Sequence, residues 1–228
     1  MAGHIGIVAC SAEGAALCYR TICAEAAARM GEHNHPEITM HTHPLGRYMV
    51  GILAGDWAAV AELMLSSLGK LVDAGAQFAI CPDNTIHQAL PLVVPRSSVP
   101  WLSIAEVVGR EAARRSFRRL GITGTKYLTV GPVYPDALKP LGLAWEIPDA
   151  AQRERIDDII FRELVRGTIR PSSRQDYYRI VIDLKAHGCD AVVLGCTELP
   201  LLADDDCPLP TLDSTRLLAR AALDYALR

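Results

Sequence analysis

Asp83 and Cys196 are the two side chains of this 228-residue sequence whose placement points to proton transfer. Each closes the same local pattern. The segments LGKLVDAGAQFAICPDNT and VIDLKAHGCDAVVLGCTE both read as a helix, a glycine, a short apolar strand and a polar turn, and Asp83 stands as far beyond Gly75 as Cys196 stands beyond Gly188. Such an internal repeat makes the two positions structural equivalents at the carboxyl ends of parallel strands, where open α/β sheets bind their ligands. If the halves face each other about a pseudo-twofold axis, a carboxylate and a thiol approach one cleft from opposite sides. That pair suits inversion of a carbon acid, one group removing the α-proton and the other delivering a proton to the far face. Asn84, Thr85 and Thr197 follow on turns that lead into helices. Donors placed there favour a bound carboxylate and the charge of an enediolate-like intermediate, and can depress a thiol pKa.

The elements that must hold these groups alternate between β and helical patterns, which predicts a mostly parallel α/β architecture. HIGIVAC is a strand, EGAALCYRTICAEAAARMG a helix closed by Gly31, EITMHTH a second strand, and DWAAVAELMLSSLGKLVDAG a long helix from an Asp cap to Gly75 that leads into the strand QFAIC. After the proline-punctuated connection VVPRSSVPW, the expected order is the helix SIAEVVGREAARRSFRRLG, the strand KYLTV and the helix PVYPDALKPLG. Helices over 152–166 and 173–187 precede the strand DAVVLG, and a final helix starts at a cap on Asp213 or Ser214. The pattern divides into an N-terminal half-domain, residues 1–100 completed by a C-terminal helix over 211–228, and a second half-domain over 101–210.

Composition narrows the functional classes. Half of the residues are hydrophobic, and Lys+Arg 23 against Asp+Glu 26 leaves a net charge of -3, which gives no footprint for nucleic acid or an anionic membrane. Arg110, Arg114, Arg115, Arg118 and Arg119 are spaced as one solvated helix face. No apolar run is long enough for a membrane span, and the first strand begins so close to Met1 that no secretion signal fits before it, so a cytoplasmic location is expected. Seven cysteines without a CxxC spacing are expected to be reduced, most of them as small core residues. Two HxH pairs, His33 with His35 and His41 with His43, have metal-ligand spacing, but no carboxylate or cysteine completes a set beside them, so no metal is expected. IGIVACSAEG lacks the GxGxxG spacing of a dinucleotide fold.

DNTIH and LGCTELPLL, with IGIVACSAEGAALCYR, GDWAAV, RIDDIIFRELVRG and LDSTRLLARAALDYAL in the same order, resemble the aspartate/glutamate racemase family. The resemblance implies racemases that use no pyridoxal phosphate or other cofactor, built as two pseudosymmetric α/β domains with the active site in the cleft between them. It also implies a homodimer and a small carboxylate substrate such as aspartate, glutamate or a close analogue. Relatives include hydantoin racemases, maleate isomerases and arylmalonate decarboxylases. On this pattern Ser11 would grip the α-carboxylate with Asn84, Thr85 and Thr197. Arg47, in HPLGRYM, would reach a second anionic group, since a guanidinium binds carboxylates bidentately. Thr129 would contact substrate from KYLTVGPVY, where relatives carry threonine at the position of Leu128.

The chain also departs from the pattern. Relatives carry cysteine, sometimes threonine, where this sequence has Asp83. Cys81 lies two positions earlier and could share its face, so it stays open as the second acid/base group. An ordinary carboxylate is a weaker base than a thiolate by about 4.6 pK units, or about 6 kcal/mol of proton affinity. Either burial strengthens Asp83 or the substrate proton is unusually acidic. The rival readings are a decarboxylase or cis–trans isomerase working through Cys196, and a binding protein without catalysis. His87 is expected to bond a neighbouring strand.

Overall fold

A computed structural model describes residues 2–228. The chain divides into two compact units, Met1–Val107 with Thr215–Arg228, and Val108–Ser214. The first unit contains β1 (Ile5–Ala9), α1 (Ala12–Met30), β2 (Ile38–Thr42), α2 (Leu45–Ala54), α3 (Trp57–Asp73), β3 (Phe78–Ile80), α4 (Leu90–Val93) and β4 (Trp101–Leu102), with a 3₁₀ turn over Thr85–Ala89. The division falls inside α5 (Ile104–Arg114). The second unit continues with β5 (Arg119–Thr123), α6 (Lys126–Thr129), α7 (Val133–Leu138), β6 (Ala144–Glu146), α8 (Ala150–Arg162), α9 (Pro171–Ala186), β7 (Ala191–Leu194) and β8 (Thr211–Asp213), and α10 (Ser214–Ala226) returns to the first.

Each unit holds a four-stranded parallel sheet, ordered β2-β1-β3-β4 in one and β6-β5-β7-β8 in the other. The repeat seen in the sequence is therefore architectural, and the expected pair of parallel α/β halves is the fold. Strand alternation sorts the core. Ile5 and Ile7 of β1 join Cys18 and Ile22 of α1, Ile104 and Val107 of α5, and Leu218, Ala219 and Ala222 of α10 in one buried cluster. Gly6 faces the other way, where a Cβ would come within 2.9 Å of the Ala76 side chain and 3.4 Å of Leu71. Gly121 of β5 has the matching role, with Leu184 of α9 at 2.9 Å from such a Cβ. Close helix-to-sheet contact at the middle of each sheet thus requires glycine.

Gly75 and Gly188 adopt φ of +96° and +86°, the left-handed region open to glycine. Their N–H groups donate to Val72 and Lys185, and the next residues donate to Leu71 and Leu184. The two helix ends are built alike, which sets β3 and β7 going in the same way.

One expected element is corrected. KYLTV is not a strand: Lys126–Thr129 is the helix α6, and the strand lies earlier, over Arg119–Thr123. The preceding helix stops at Arg114, Ser116 takes φ of +60°, and the Asp190 carboxylate accepts hydrogen bonds from the N–H groups of Arg118 and Arg119 at 2.7 and 3.2 Å. The five arginines therefore do not share one helix face, since Arg119 belongs to β5. Thr125 then starts α6 by accepting from Leu128 N–H. Strands β4, β6 and β8 were not expected at all, being two or three residues long.

Candidate functional site

In the first unit the central strands β1 and β3 run in register from Ile5 with Phe78 to Ile7 with Ile80, so both deliver their following residues to one sheet end. After β1 come Cys10 and Ser11; the Ser11 hydroxyl accepts from Gly14 N–H at 3.2 Å and caps α1. After β3 come Cys81 to Asn84. Asp83 is half-buried, and its Oδ1 accepts from Ile86 N–H at 3.2 Å. Cys10 lies beside the same carboxylate, and burial first, then that charge, pushes its pKa far up, so it remains a thiol. Cys81 is fully buried and likewise driven well above the usual thiol range, first by burial and then by Asp83. Of the two residues left open by the sequence, Asp83 is the one with exposed surface.

His87 fixes this turn. Its Nδ1 lies 2.7 Å from the carbonyl oxygen of Asp83, and its Nε2 accepts from the N–H of Ile104, the first residue of α5, at 3.1 Å. Burial pushes its pKa down to about 4, against a smaller opposing effect of the Asp83 carbonyl. A neutral ring with Nδ1–H as donor satisfies both groups. The expected bond to a neighbouring strand is thus replaced by bonds to its own turn and to the start of the helix α5. Asn84 is buried and begins the 3₁₀ turn; Thr85 is half-buried within it. Arg47 sits in the first turn of α2, exposed, with Nη1 at 3.3 Å from His43 Nδ1.

In the second unit, β7 ends at Leu194 and Gly195 runs close beside the end of β5, its N–H donating to the Thr123 carbonyl oxygen at 2.9 Å. A Cβ at Gly195 would lie 2.5 Å from the carbonyl oxygen of Thr123 and 2.6 Å from Leu128 Cδ2. Cys196 follows, partly exposed, and its Sγ donates to Glu198 Oε2 at 2.9 Å. The Thr197 hydroxyl donates to the same oxygen at 2.8 Å. Glu198 is itself buried. Thr129 lies in α6, buried, with its hydroxyl directed at the carbonyl oxygens of Thr125 and Lys126 at 3.3 and 3.2 Å.

Each unit thus gathers its own part of the expected set: Asp83, Asn84, Thr85 and Ser11 at the end of the first sheet, Cys196 and Thr197 at the end of the second. Sequence reasoning assigned no site role of their own to Glu198 and Cys10, which adjoin these groups, or to Thr125, whose carbonyl oxygen accepts from the Thr129 hydroxyl. Glu198 could have been found as a carboxylate two positions after a thiol. Cys10 carried no signal beyond being one of seven cysteines, and Thr125 was hidden by the misplaced strand. Among the described residues, no group of three or more His, Cys, Asp or Glu side chains is arranged to hold a metal. His41 and His43 instead pack ring to ring at 4.9 Å. No helix among the described residues is long and apolar enough to cross a membrane.

Two parallel α/β units, each closing a central strand with an ionisable side chain and a polar turn, define a protein of the pseudosymmetric racemase class. The chain belongs to the Asp/Glu/Hydantoin racemase family, whose model it matches over residues 5–222. It is 31% identical over 150 residues to a glutamate racemase of Corynebacterium glutamicum, a match spanning 64% of this chain and 52% of that enzyme, so about half the length of this relative is represented. A crystal structure of a candidate Asp/Glu racemase from Yersinia pestis superposes with a TM-score of 0.92 at 29% identity, covering 99% of this chain and 100% of the other. An aspartate racemase homologue from Pyrococcus horikoshii gives 0.87 at 25% identity, with 100% of both chains covered.

Proposed function

We propose that the protein is a cofactor-independent racemase or epimerase that inverts the α-carbon of a small carboxylate, aspartate, glutamate or a close analogue. The observation that carries this reading is the equivalence of the two strand-end turns. Asp83 and Cys196 follow matched glycine-capped helices and matched central strands, and each is followed by a polar residue and a 3₁₀ turn. Family membership supports the reaction class, and the glutamate and aspartate racemase relatives support the substrate class.

In the proposed reaction the Asp83 carboxylate removes the α-proton. The electron pair moves into the substrate carboxylate, whose developing charge is met by donors from Ser11, Asn84, Thr85 and Thr197. The Cys196 thiol then gives its proton to the opposite face. The reverse direction starts from a thiolate and a carboxylic acid. Glu198 suits this assignment, because a carboxylate beside the sulfur favours the thiol as the resting, proton-donating form. Arg47 would pair with a second anionic group, and the working molecule is a homodimer in the cytoplasm.

Incubation with candidate amino acids, hydantoins and substituted malonates in deuterated water tests the reading. Two-base chemistry incorporates solvent deuterium at the α-carbon and scrambles handedness. Loss of carbon dioxide would identify a decarboxylase, and binding without exchange a non-catalytic protein. Cys196→Ser is expected to abolish turnover with folding intact. Asp83→Cys is expected to preserve or raise it, since the thiolate is the stronger base.

A further inference from the structure

The two histidines around the end of β2 are each held between a cation and a serine of α3, with opposite ring nitrogens engaged. His41 lies 2.8 Å from Lys70 Nζ through Nε2 and 2.9 Å from Ser67 Oγ through Nδ1. His43 lies 3.3 Å from Arg47 Nη1 through Nδ1 and 3.2 Å from Ser66 Oγ through Nε2. Ammonium and guanidinium groups only donate, so the nitrogen facing each must be a bare acceptor, and the other nitrogen carries the hydrogen that goes to serine. His43 is therefore a neutral ring with Nε2–H, and in no other protonation state can it hold Arg47. Three contacts set its plane: Ser66, Arg47 and the ring of His41, which meets it edge-on at 80°. The ring is buried, whereas Arg47 is exposed. Thr42 pairs with Ala9, so His43 stands level with Cys10, one residue before Ser11, at the sheet end that also carries Asp83.

We propose that His43 is a positioning residue: it holds Arg47 toward the second anionic group of the substrate and so makes the site select dicarboxylates. The proposal rests on Arg47 contacting that group in the reaction above. An unrestrained arginine on an exposed first turn spreads over many rotamers, and fixing it before substrate arrives removes that cost from binding. One of its five N–H donors goes to His43, and the planar fork keeps others to meet a carboxylate. The titratable and charged groups acting on His43 are His41 from its own strand, Arg47 from α2 and Lys70 from α3; burial first, then these three, lower its pKa from 6.5. None of the three is an acid. Once the ring is protonated, Nδ1 has no lone pair to offer and a second positive charge faces the guanidinium, so Arg47 is released. Selectivity for a second carboxylate is thus present at neutral pH and is lost as pH falls through the lowered pKa of the ring, below 6.5.

Two measurements test this role without turnover and a third with it. With ¹⁵N-labelled histidine, His43 is expected to show the Nε2–H form at neutral pH, and Arg47→Ala to shift its Nδ1 signal and raise its titration midpoint. An Nδ1–H form, or a His43 signal that ignores Arg47→Ala, overturns the arrangement whatever the activity. In titration calorimetry His43→Phe should weaken binding of succinate, a probe with two carboxylates, about tenfold, and that of succinamate, which has an amide in place of one, less than about twofold. His43→Asn, whose side-chain oxygen can stand where Nδ1 stood, should recover most of the loss. In turnover of aspartate or glutamate, His43→Phe should raise KM about tenfold without a matching fall in kcat, and should flatten the rise of KM that the unaltered enzyme shows in acid. Equal weakening of succinate and succinamate, or a fall in kcat with KM unchanged, would make His43 a packing residue and overturns the proposal. If succinate binding responds as described but no carboxylate is inverted, the proposed reaction falls and the positioning role stands. If Arg47→Ala leaves succinate binding unchanged, the contact assigned to Arg47 falls and the proposal with it.

Discussion

At the scale of single residues, the site depends on side chains whose partners fix their protonation state. His87 is the clearest case. Its folded pKa of about 4 lies below the ordinary 6.5, so between these values the unfolded chain binds a proton that the folded chain refuses. Stability therefore has its full His87 contribution above about pH 6.5 and loses it as pH falls toward 4, by about 3 kcal/mol at most. His87→Gln, which keeps a donor and an acceptor but does not titrate, should give a shallower fall in urea-unfolding free energy over that window. A slope equal to that of the unaltered protein would remove this role. Glu198 makes a different prediction. Glu198→Gln takes away the charge beside Cys196, so iodoacetamide should alkylate that thiol faster at fixed pH, while turnover falls about 10- to 100-fold as the resting thiol and the orientation of Thr197 are lost.

At the scale of elements, the turns after β3 and β7 are placed by backbone contacts that tolerate little. Gly195→Ala would drive a methyl group against the Thr123 carbonyl oxygen, so β7 must part from β5, at a cost of about 1–3 kcal/mol. Gly46→Ala on α2, with nothing near the new Cβ, should be neutral or stabilise by up to about 1 kcal/mol. Thermal unfolding of the two variants separates packing from simple helix propensity. These contacts also explain what could be read in the sequence. The long helices α1 and α3 were legible because Gly31, Asp56 and Gly75 mark their ends, and β3 and β7 because each is a buried apolar run behind a glycine. β5 was misplaced because its start is set by Asp190, far away in the chain, and by the left-handed Ser116, neither of which has a local signature. The proton-transfer pair could be found because a repeat compares distant positions directly. The neighbour Cys10 could not, since it meets Asp83 only through tertiary packing.

At the scale of the whole molecule, connectivity decides which half can stand alone. The second unit is one continuous segment, Val108–Ser214, whereas the first needs both ends of the chain. Leu218, Ala219 and Ala222 of α10 are fully buried in the cluster formed by β1, β3, α1 and α5, Tyr225 stacks on Phe78 at 4.6 Å, and Gly3 N–H donates to the carbonyl oxygen of Ala226 at 2.7 Å. Burying a leucine contributes about 1.5–3 kcal/mol, and a domain's whole stability is about 5–15 kcal/mol, so losing the helix should exceed what the first unit can spare. The ion pairs of α10 matter far less. Arg220 with Glu25 and Arg29 with Asp224 are solvent-exposed, and such pairs contribute about 0–1 kcal/mol each. Deleting residues 215–228 is therefore expected to strip hydrogen-exchange protection from the amides of β1 and β3 while those of β5 and β7 keep theirs, and Arg220→Ala should change neither. Equal loss in both sheets would mean that the second unit depends on the first for its own folding. Retained protection in β1 would mean that α10 is a cover and not part of that core.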